Sequence, residues 1–176
     1  MMYAKYALLL VVNLAIGLVN IVFAPLIVLA ANDEGWLPQW LWWFQTPDNS
    51  LDADYSGKRF PGKQVGLNRW YSRFMWCYRN PCYGFAISVL GAQAQPGDVL
   101  ITSGDPKTDN HKPIHTGWVR YTLLRNGKPI YFQLYLVKPW LFGLYFRGNF
   151  GWKLWGYPTT EKMQFTFSPN PFRKIS

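Results

Sequence analysis

Residues 6–31 read YALLLVVNLAIGLVNIVFAPLIVLAA and contain no charged side chain. An α-helix needs about 20 residues to cross the hydrocarbon core of a bilayer, and a helix of a soluble domain seldom runs this long without a polar face. The stretch therefore predicts a transmembrane helix that is retained as an anchor and kinked at Pro25. A cleaved signal peptide is the alternative, because residues 28–30 (VLA) fit a small-residue cleavage site and Lys5 precedes the apolar run.

Four small or polar residues share one face of this helix, because their spacing is i, i+4, i+7 and i+11. Small side chains let helix backbones approach each other, and amide side chains hydrogen-bond across helices in a bilayer. The face predicts self-association or docking onto another membrane helix; asparagines tolerated without a partner are the alternative. The four residues are Asn13, Gly17, Asn20 and Ala24.

The composition predicts a lipid membrane as the main partner. The chain has 176 residues, a net charge of +9 and ten Trp, and the residues after the anchor are enough for one domain. Trp concentrates where an apolar surface meets water, and basic residues attract anionic headgroups. An ordinary solvated surface is the alternative. Because the basic residues are dispersed and the glycines lack phosphate-binding spacing, we expect no nucleic-acid partner and no cofactor.

Residues 34–44 (EGWLPQWLWWF) bring four Trp directly after the anchor. This composition is typical of a helix in the bilayer interface, and a core helix is the alternative. We therefore expect three regions, namely an anchor at 1–31, a Trp-rich segment with a polar loop at 32–64, and an α+β domain at 65–176. The membrane-interface residues are Trp36, Trp40, Trp42 and Trp43.

Residues 65–79 (VGLNRWYSRFMWCYR) show helical periodicity and predict a basic amphipathic helix. It either lies on anionic lipid or forms the main helix of the domain with its arginines in solvent. Asn80-Pro81 ends it, because the residue before proline avoids the helical region. The apolar face contains Leu67, Trp70, Tyr71, Phe74 and Cys77, and the basic surface contains Arg69, Arg73 and Arg79.

The second half of the chain has the pattern of strands. Asn126-Gly127 between two β-rich runs, 117–125 and 128–138, predicts a tight hairpin. The sequence as a whole thus predicts an α+β fold, in which a transmembrane helix and an amphipathic helix precede an antiparallel β-meander of five or six strands. Further strands are predicted at 98–103, 140–147, 150–155 and 164–167, with Gly148-Asn149 as a turn.

Two groups of residues have ligand-type side chains. Asp48, Asp52 and Asp54 supply oxygen atoms that suit Ca²⁺ or Mg²⁺, but the glycine and terminal glutamate of an EF-hand loop are missing, so pairing with the downstream arginines is favoured. His111 and His115 have a zinc-like spacing, but the Lys-Pro between them breaks a helix. We therefore expect no metal site.

Three stretches carry a resemblance to a known family. They are WLWWFQTPDNSLDAD at 40–54, YRNPCYGF at 78–85 and GNFGWKL at 148–154, in this order after an N-terminal apolar segment. The chain resembles an uncharacterised family of small proteins encoded by tailed bacteriophages. The resemblance implies a bacterial host and a setting in phage infection, and it implies no activity.

A second resemblance supplies an enzymatic alternative. The elements CYGF at 82–85, PGDV at 96–99 and HTGW at 115–118 occur in the order found in NlpC/P60-like cysteine peptidases of the cell envelope. It implies Cys82 as nucleophile and His115 as its base. The Cys-to-Gly-Asp spacing is much shorter than in that family, and the Asp that usually precedes the Cys is missing. Cys82 as a small buried apolar residue is favoured.

The functional prediction follows from the anchor and the phage resemblance. Lys5 precedes the anchor and Asp33 and Glu34 follow it, so the positive-inside rule puts the N-terminus in the cytoplasm and the domain in the periplasm, at the host inner membrane. We expect a non-enzymatic protein that binds the membrane surface or a host envelope partner. Superinfection exclusion and lysis are the expected processes.

Overall fold

The computed structural model describes residues 1–53, 65–108, 115–154 and 162–174. The chain divides into two compact units. We call Leu9–Leu90 the helical unit, and Met1–Leu8 together with Gly91–Ser176 the sheet unit. The predicted division at residues 31 and 64 stays a prediction. Asp54 and His111 lie outside the described residues.

Three α-helices form in the first half of the chain. Helix α1 spans Met2–Ile27, α2 spans Gly66–Arg79 and α3 spans Tyr83–Ser88. A 3₁₀ turn, Val28–Ala30, follows α1, and the Trp-rich segment forms a 3₁₀ helix at Gln39–Phe44. The predicted helices at the anchor and at 65–79 are therefore confirmed as helices.

The helical unit has a core made by α1, α2 and the segment between them. The end of α1 supplies small and aliphatic side chains, and α2 covers them with Trp70, Phe74 and Trp76. This cluster buries apolar surface that α1 would otherwise expose, which is the main favourable term for packing. Its buried members are Ala24, Ile27, Val28, Leu37, Leu41, Leu51 and Cys77.

The sheet unit contains a five-stranded antiparallel sheet in the order β1-β2-β3-β4-β5. This meander confirms the α+β fold class. Asn126 and Gly127 have φ values of 50° and 73°, and Arg125 pairs with Lys128, so the predicted tight hairpin is confirmed. The strands are β1 Val99–Gly104, β2 Gly117–Arg125, β3 Lys128–Pro139, β4 Tyr145–Trp152 and β5 Phe165–Arg173.

The predicted turn at Gly148-Asn149 is wrong, because both residues lie inside β4. Gly148 pairs with Leu136 of β3, and the ring of Phe150 fills the space that a side chain at Gly148 would need. The Asn149 amide oxygen accepts a hydrogen bond from Gln133 at 2.9 Å. A tertiary contact thus satisfies a residue pair whose composition indicates a turn.

An aromatic cluster joins the start of α1 to the sheet within the sheet unit. Tyr6 stacks on Phe165 at 5.0 Å between ring centroids and contacts the edge of Trp152 at 5.7 Å. Its hydroxyl donates to the carbonyl of Thr166 at 3.0 Å, and Tyr3 packs on Phe132 at 5.0 Å. The first two turns of α1 are therefore part of the core of this unit.

Candidate membrane-binding site

Helix α1 packs against α2 through polar groups as well as apolar ones. Asn20 is fully buried and donates from Nδ2 to the carbonyl of Cys77 at 3.1 Å. Trp70 donates from Nε1 to the carbonyl of Pro25 at 2.8 Å. Because residue 70 meets residue 25 and residue 77 meets residue 20, the chain doubles back along α1, and α2 runs antiparallel to it.

The predicted packing face of α1 is only partly used by this contact. Asn20 and Ala24 are both fully buried in the helical unit, whereas Asn13 and Gly17 are only half-buried, and a side chain added at Gly17 would meet nothing within 4 Å. The face thus binds a helix of the same chain. Association with another copy or another protein stays a prediction.

Pro25 leaves the carbonyl of Ile21 without its helical donor, because proline has no backbone N–H. The hydroxyl of Tyr78 on α2 donates to this carbonyl at 2.9 Å. The carbonyl is therefore satisfied by a side chain where the helix itself cannot satisfy it. The position of Pro25 in the sequence identifies the orphaned carbonyl, but no local feature identifies Tyr78 as its donor.

A cluster of paired acidic and basic side chains lies near the residues that follow α1. Asp52 accepts hydrogen bonds from Arg73 Nε at 2.8 Å and Nη2 at 2.7 Å, and from Arg69 Nη2 at 2.9 Å. Arg73 Nη2 also donates to the carbonyl of Asn32 at 2.9 Å, and Arg69 Nη2 donates to the carbonyl of Asp33. The predicted pairing of the aspartates with downstream arginines is thus present at Asp52. An arginine that donates two hydrogen bonds to one carboxylate, as Arg73 does, forms one of the stronger kinds of ion pair.

Helix α2 buries two of its polar residues and leaves two of its apolar residues exposed. Ser72 and Arg73 are buried, and the structure places Arg73 on Asp52 and not on a basic surface. By contrast, Leu67 is 83% exposed and Tyr71 46% exposed. Arg79, the third predicted surface arginine, is half-buried, lies over the ring of Trp76 at 5.8 Å and donates from Nε to its own helix.

The remaining surface of α1 is apolar. The segment Met2–Ala30 is the only part of the described chain that is long and apolar enough to cross a membrane, and 11% of its most apolar stretch is buried. Such a helix is compatible with a membrane anchor or with a signal sequence. Its exposed large side chains within the helical unit include Val11, Val12, Leu14, Leu18, Val19, Ile21, Val22, Phe23 and Leu26.

The Trp-rich segment divides its side chains between core and surface. Trp40 is 75% exposed and Trp43 46% exposed, whereas Trp36 and Trp42 are half-buried. The segment is held by Gln45, whose Oε1 accepts from Leu37 N at 2.7 Å and whose carbonyl accepts from Gly84 N at 2.7 Å. The role of the four Trp side chains at a membrane interface stays a prediction.

The two cysteines lack the features of an activated nucleophile. Cys77 and Cys82 are free and buried, and burial, reinforced by the neighbouring Cys77, raises the pKa of Cys82 to about 12. The Cys82 thiol lies 3.5 Å from the carbonyl of Ile16, to which it donates. A reactive cysteine needs the opposite shift of its pKa. His115 belongs to the sheet unit and Cys82 to the helical unit.

The described residues contain no group of three or more His, Cys, Asp or Glu side chains that could hold a metal ion.

Fold and site together define an α+β protein with one N-terminal apolar helix. The chain belongs to a family of unknown function, DUF7338, whose model matches residues 1–176. No curated protein and no solved structure matches the chain.

Proposed function

We propose that this chain is a non-enzymatic, phage-encoded protein that α1 anchors in the inner membrane of a bacterial host. In this proposal it binds the membrane surface or a host envelope protein during infection, and acts in superinfection exclusion or lysis. The resemblance of residues 40–54, 78–85 and 148–154 to tailed-phage proteins supports the infection setting. The physical features of the helical unit support the membrane setting.

The apolar exterior of the helical unit is the observation that carries the proposal. Nine large apolar side chains of α1 between Leu9 and Ile27 are exposed, and moving them from water into lipid is worth on the order of 10 kcal/mol in total. That is as large as the whole stability of a typical domain. Meanwhile Arg73 is only 7% exposed and Asp52 6%, so the charges face inward. A bilayer favours a protein whose apolar side chains face outward and whose charged side chains face inward.

Retention of α1 is supported by its part in the core. Three of the seven buried members of the described core cluster, Ala24, Ile27 and Val28, belong to the apolar segment. Cleavage after Ala30 would remove these three residues from the cluster in which Cys77, Trp70 and Phe74 pack. The chain as an anchored protein therefore keeps a core that a secreted form would lose.

The contacts of the first residues of α1 bear on which side of the membrane the sheet lies. The expectation of a cytoplasmic N-terminus with a periplasmic domain puts the two on opposite sides of the helix. However, Met1–Leu8 and Gly91–Ser176 form one unit, and Lys5 donates to the Tyr131 hydroxyl at 3.3 Å. We therefore propose that the sheet lies on the same side as the N-terminus. A protease or reporter fusion at the C-terminus would report that side.

The anchoring test compares two charge-introducing variants of the full chain. Leu18→Glu puts a carboxylate on the exposed middle of α1, which costs about 2.5–3.5 kcal/mol in a bilayer. Lys128→Glu changes an exposed residue of the hairpin turn and is the matched control. We expect carbonate-washed membranes to retain the wild type and Lys128→Glu, with residues 1–31 present by intact mass, and to retain much less Leu18→Glu. Equal retention of both variants, or release of the wild type, would contradict the anchor.

The infection role has its own test. When host cells that express the chain are challenged with phage, the phage should form fewer plaques on them, or the cells should lyse at a changed time. Cells that express Leu18→Glu should behave like cells without the chain. A membrane-retained wild type that changes neither plaque number nor lysis time would contradict the infection role and leave the anchor standing.

A further inference from the structure

The loop between β3 and β4 ends the sheet in a short, well-defined tip. Trp140 N donates to the carbonyl of Leu144 at 2.7 Å, and Leu144 N donates to the carbonyl of Leu141 at 3.1 Å. These two bonds close the chain over five residues. Phe142, in the middle, has φ 57° and ψ 36°, a left-handed conformation in which a bulky side chain is rare.

The side chains of this tip are large, apolar and exposed. Phe142 is 96% exposed, and Trp140 and Leu141 are more than half exposed. On the neighbouring strand, the pairing of Tyr145 with Arg173 brings the exposed Phe172 to the same end of the sheet. Backbone strain that holds an aromatic ring in solvent indicates a function more than stability. We call Trp140, Leu141, Phe142 and Phe172 the apolar tip.

All charged side chains on strands β3, β4 and β5, which carry the apolar tip, are basic. Lys138 and Lys174 are exposed at this end of the sheet, and Arg147 and Arg173 flank them. Neither residues 138–152 nor residues 162–174 contain an acidic side chain. Cations beside exposed apolar side chains complement a surface that has phosphates above hydrocarbon.

We propose that the apolar tip inserts into the headgroup region of a bilayer that contains anionic lipids, while the lysines beside it bind the lipid phosphates. A narrow hairpin end is much smaller than the roughly 800 Å² that each partner contributes to a stable protein interface, whereas a fluid bilayer accepts a small convex wedge. The inference rests on the proposed function only because the anchor brings the sheet to the membrane. It adds a second membrane contact that is separate from α1.

The test places an environment-sensitive dye on the tip of the full chain reconstituted in vesicles. A dye on Leu141→Cys should shift to the blue and be quenched by lipids with nitroxide-labelled acyl chains, in vesicles containing phosphatidylglycerol. The same dye on Lys128→Cys, at the opposite end of β3, is the matched control and should stay aqueous. The chain without an added cysteine measures background, because Cys77 and Cys82 are buried.

Two further variants separate insertion from folding. Phe142→Gly suits the left-handed conformation and should preserve the fold, yet it should largely abolish the quenching of the dye at residue 141. Lys138→Gln should lower the ratio of inserted to aqueous dye about fivefold, the factor for one lysine near an anionic surface. The loss should disappear in vesicles of phosphatidylcholine alone.

The outcomes distinguish this inference from the anchor. A carbonate-resistant protein whose dye at residue 141 stays aqueous would overturn the inference and leave the anchor standing. A blue shift without quenching by labelled lipid would mean that protein covers the tip, which also overturns it. A protein that carbonate removes would contradict the anchor, and quenching of the dye before the wash would still support the tip.

Discussion

Tyr78 supplies to Ile21 the hydrogen bond that Pro25 withholds, with its hydroxyl 2.9 Å from the Ile21 carbonyl oxygen. The relationship keeps that carbonyl satisfied although α1 has a proline within it. Because α2 provides the donor, the tolerance of Pro25 within α1 depends on the docking of α2.

Removing this donor should destabilise the protein more when Pro25 is present than when it is replaced. We expect Tyr78→Phe to lower the free energy of unfolding by about 0.5–1.5 kcal/mol. In a Pro25→Ala background the backbone N–H of residue 25 can bond Ile21, so the same change should cost clearly less. A double-mutant cycle by denaturant unfolding in detergent micelles measures the difference. Equal costs in the two backgrounds would refute the coupling.

Asp52 should be the most sensitive carboxylate of the helical unit. Asp52→Ala leaves Arg69 and Arg73 together without their carboxylate in a buried site, so we expect a loss of about 3–5 kcal/mol in unfolding free energy. Asp48 is exposed, and Asp48→Ala should change stability by about 0.5 kcal/mol or less. Denaturant unfolding of the two variants side by side checks this, and similar losses would contradict the buried cluster.

Two glycines should respond in opposite ways to the same substitution. A Cβ at Gly84 would overlap the Trp42 carbonyl oxygen and lie 2.8 Å from the Gln45 carbonyl oxygen, so Gly84→Ala should cost about 1–3 kcal/mol. Gly17→Ala meets open space and should gain about 0.5–1 kcal/mol from helix propensity. Thermal unfolding of both variants gives the comparison. A destabilised Gly17→Ala would instead favour the predicted association through that face.

The turn before β1 should make the sheet unit sensitive to acid. Arg125 donates two hydrogen bonds to the Asp98 carboxylate, both at 2.8 Å, and lowers the pKa of Asp98 from 3.8 to about 2. The folded state therefore binds fewer protons than the unfolded state in this range, so the stabilisation is present above about pH 4 and lost as the pH falls towards 2. As the pH is lowered across that range, the unfolding midpoint of Arg125→Gln should fall less steeply than that of the wild type. Identical slopes would contradict the assignment.

Both thiols should be unreactive in the folded protein. With the pKa of Cys77 and of Cys82 raised to about 12, the thiolate fraction at pH 8 is on the order of one in ten thousand. Maleimide or a disulfide reagent should label neither cysteine until the chain is unfolded, whereas Ser103→Cys on the exposed edge strand should react at once. Rapid labelling of Cys82 in the folded chain would favour the cysteine-hydrolase alternative.

Local signals predicted much of the fold. An uninterrupted apolar run makes α1, the period of residues 65–79 makes α2, and Asn126-Gly127 makes the hairpin, because each depends on residues close in sequence. The failure at Gly148-Asn149 has the opposite cause. Gln133, on another strand, satisfies Asn149, and a Gly-Asn pair has no local property that reports such a partner.

Composition and periodicity are enough to predict a long apolar helix over residues 6–31 and strands in the second half of the chain. By contrast, the side of α2 that faces inward depends on contacts with residues distant in sequence. Arg73 is buried because Asp52, 21 residues before it, supplies the carboxylate. Likewise, the Asn20–Ala24 face of α1 is covered because α2 returns along it. A buried charge or amide needs a partner in space, and the fold alone brings that partner near.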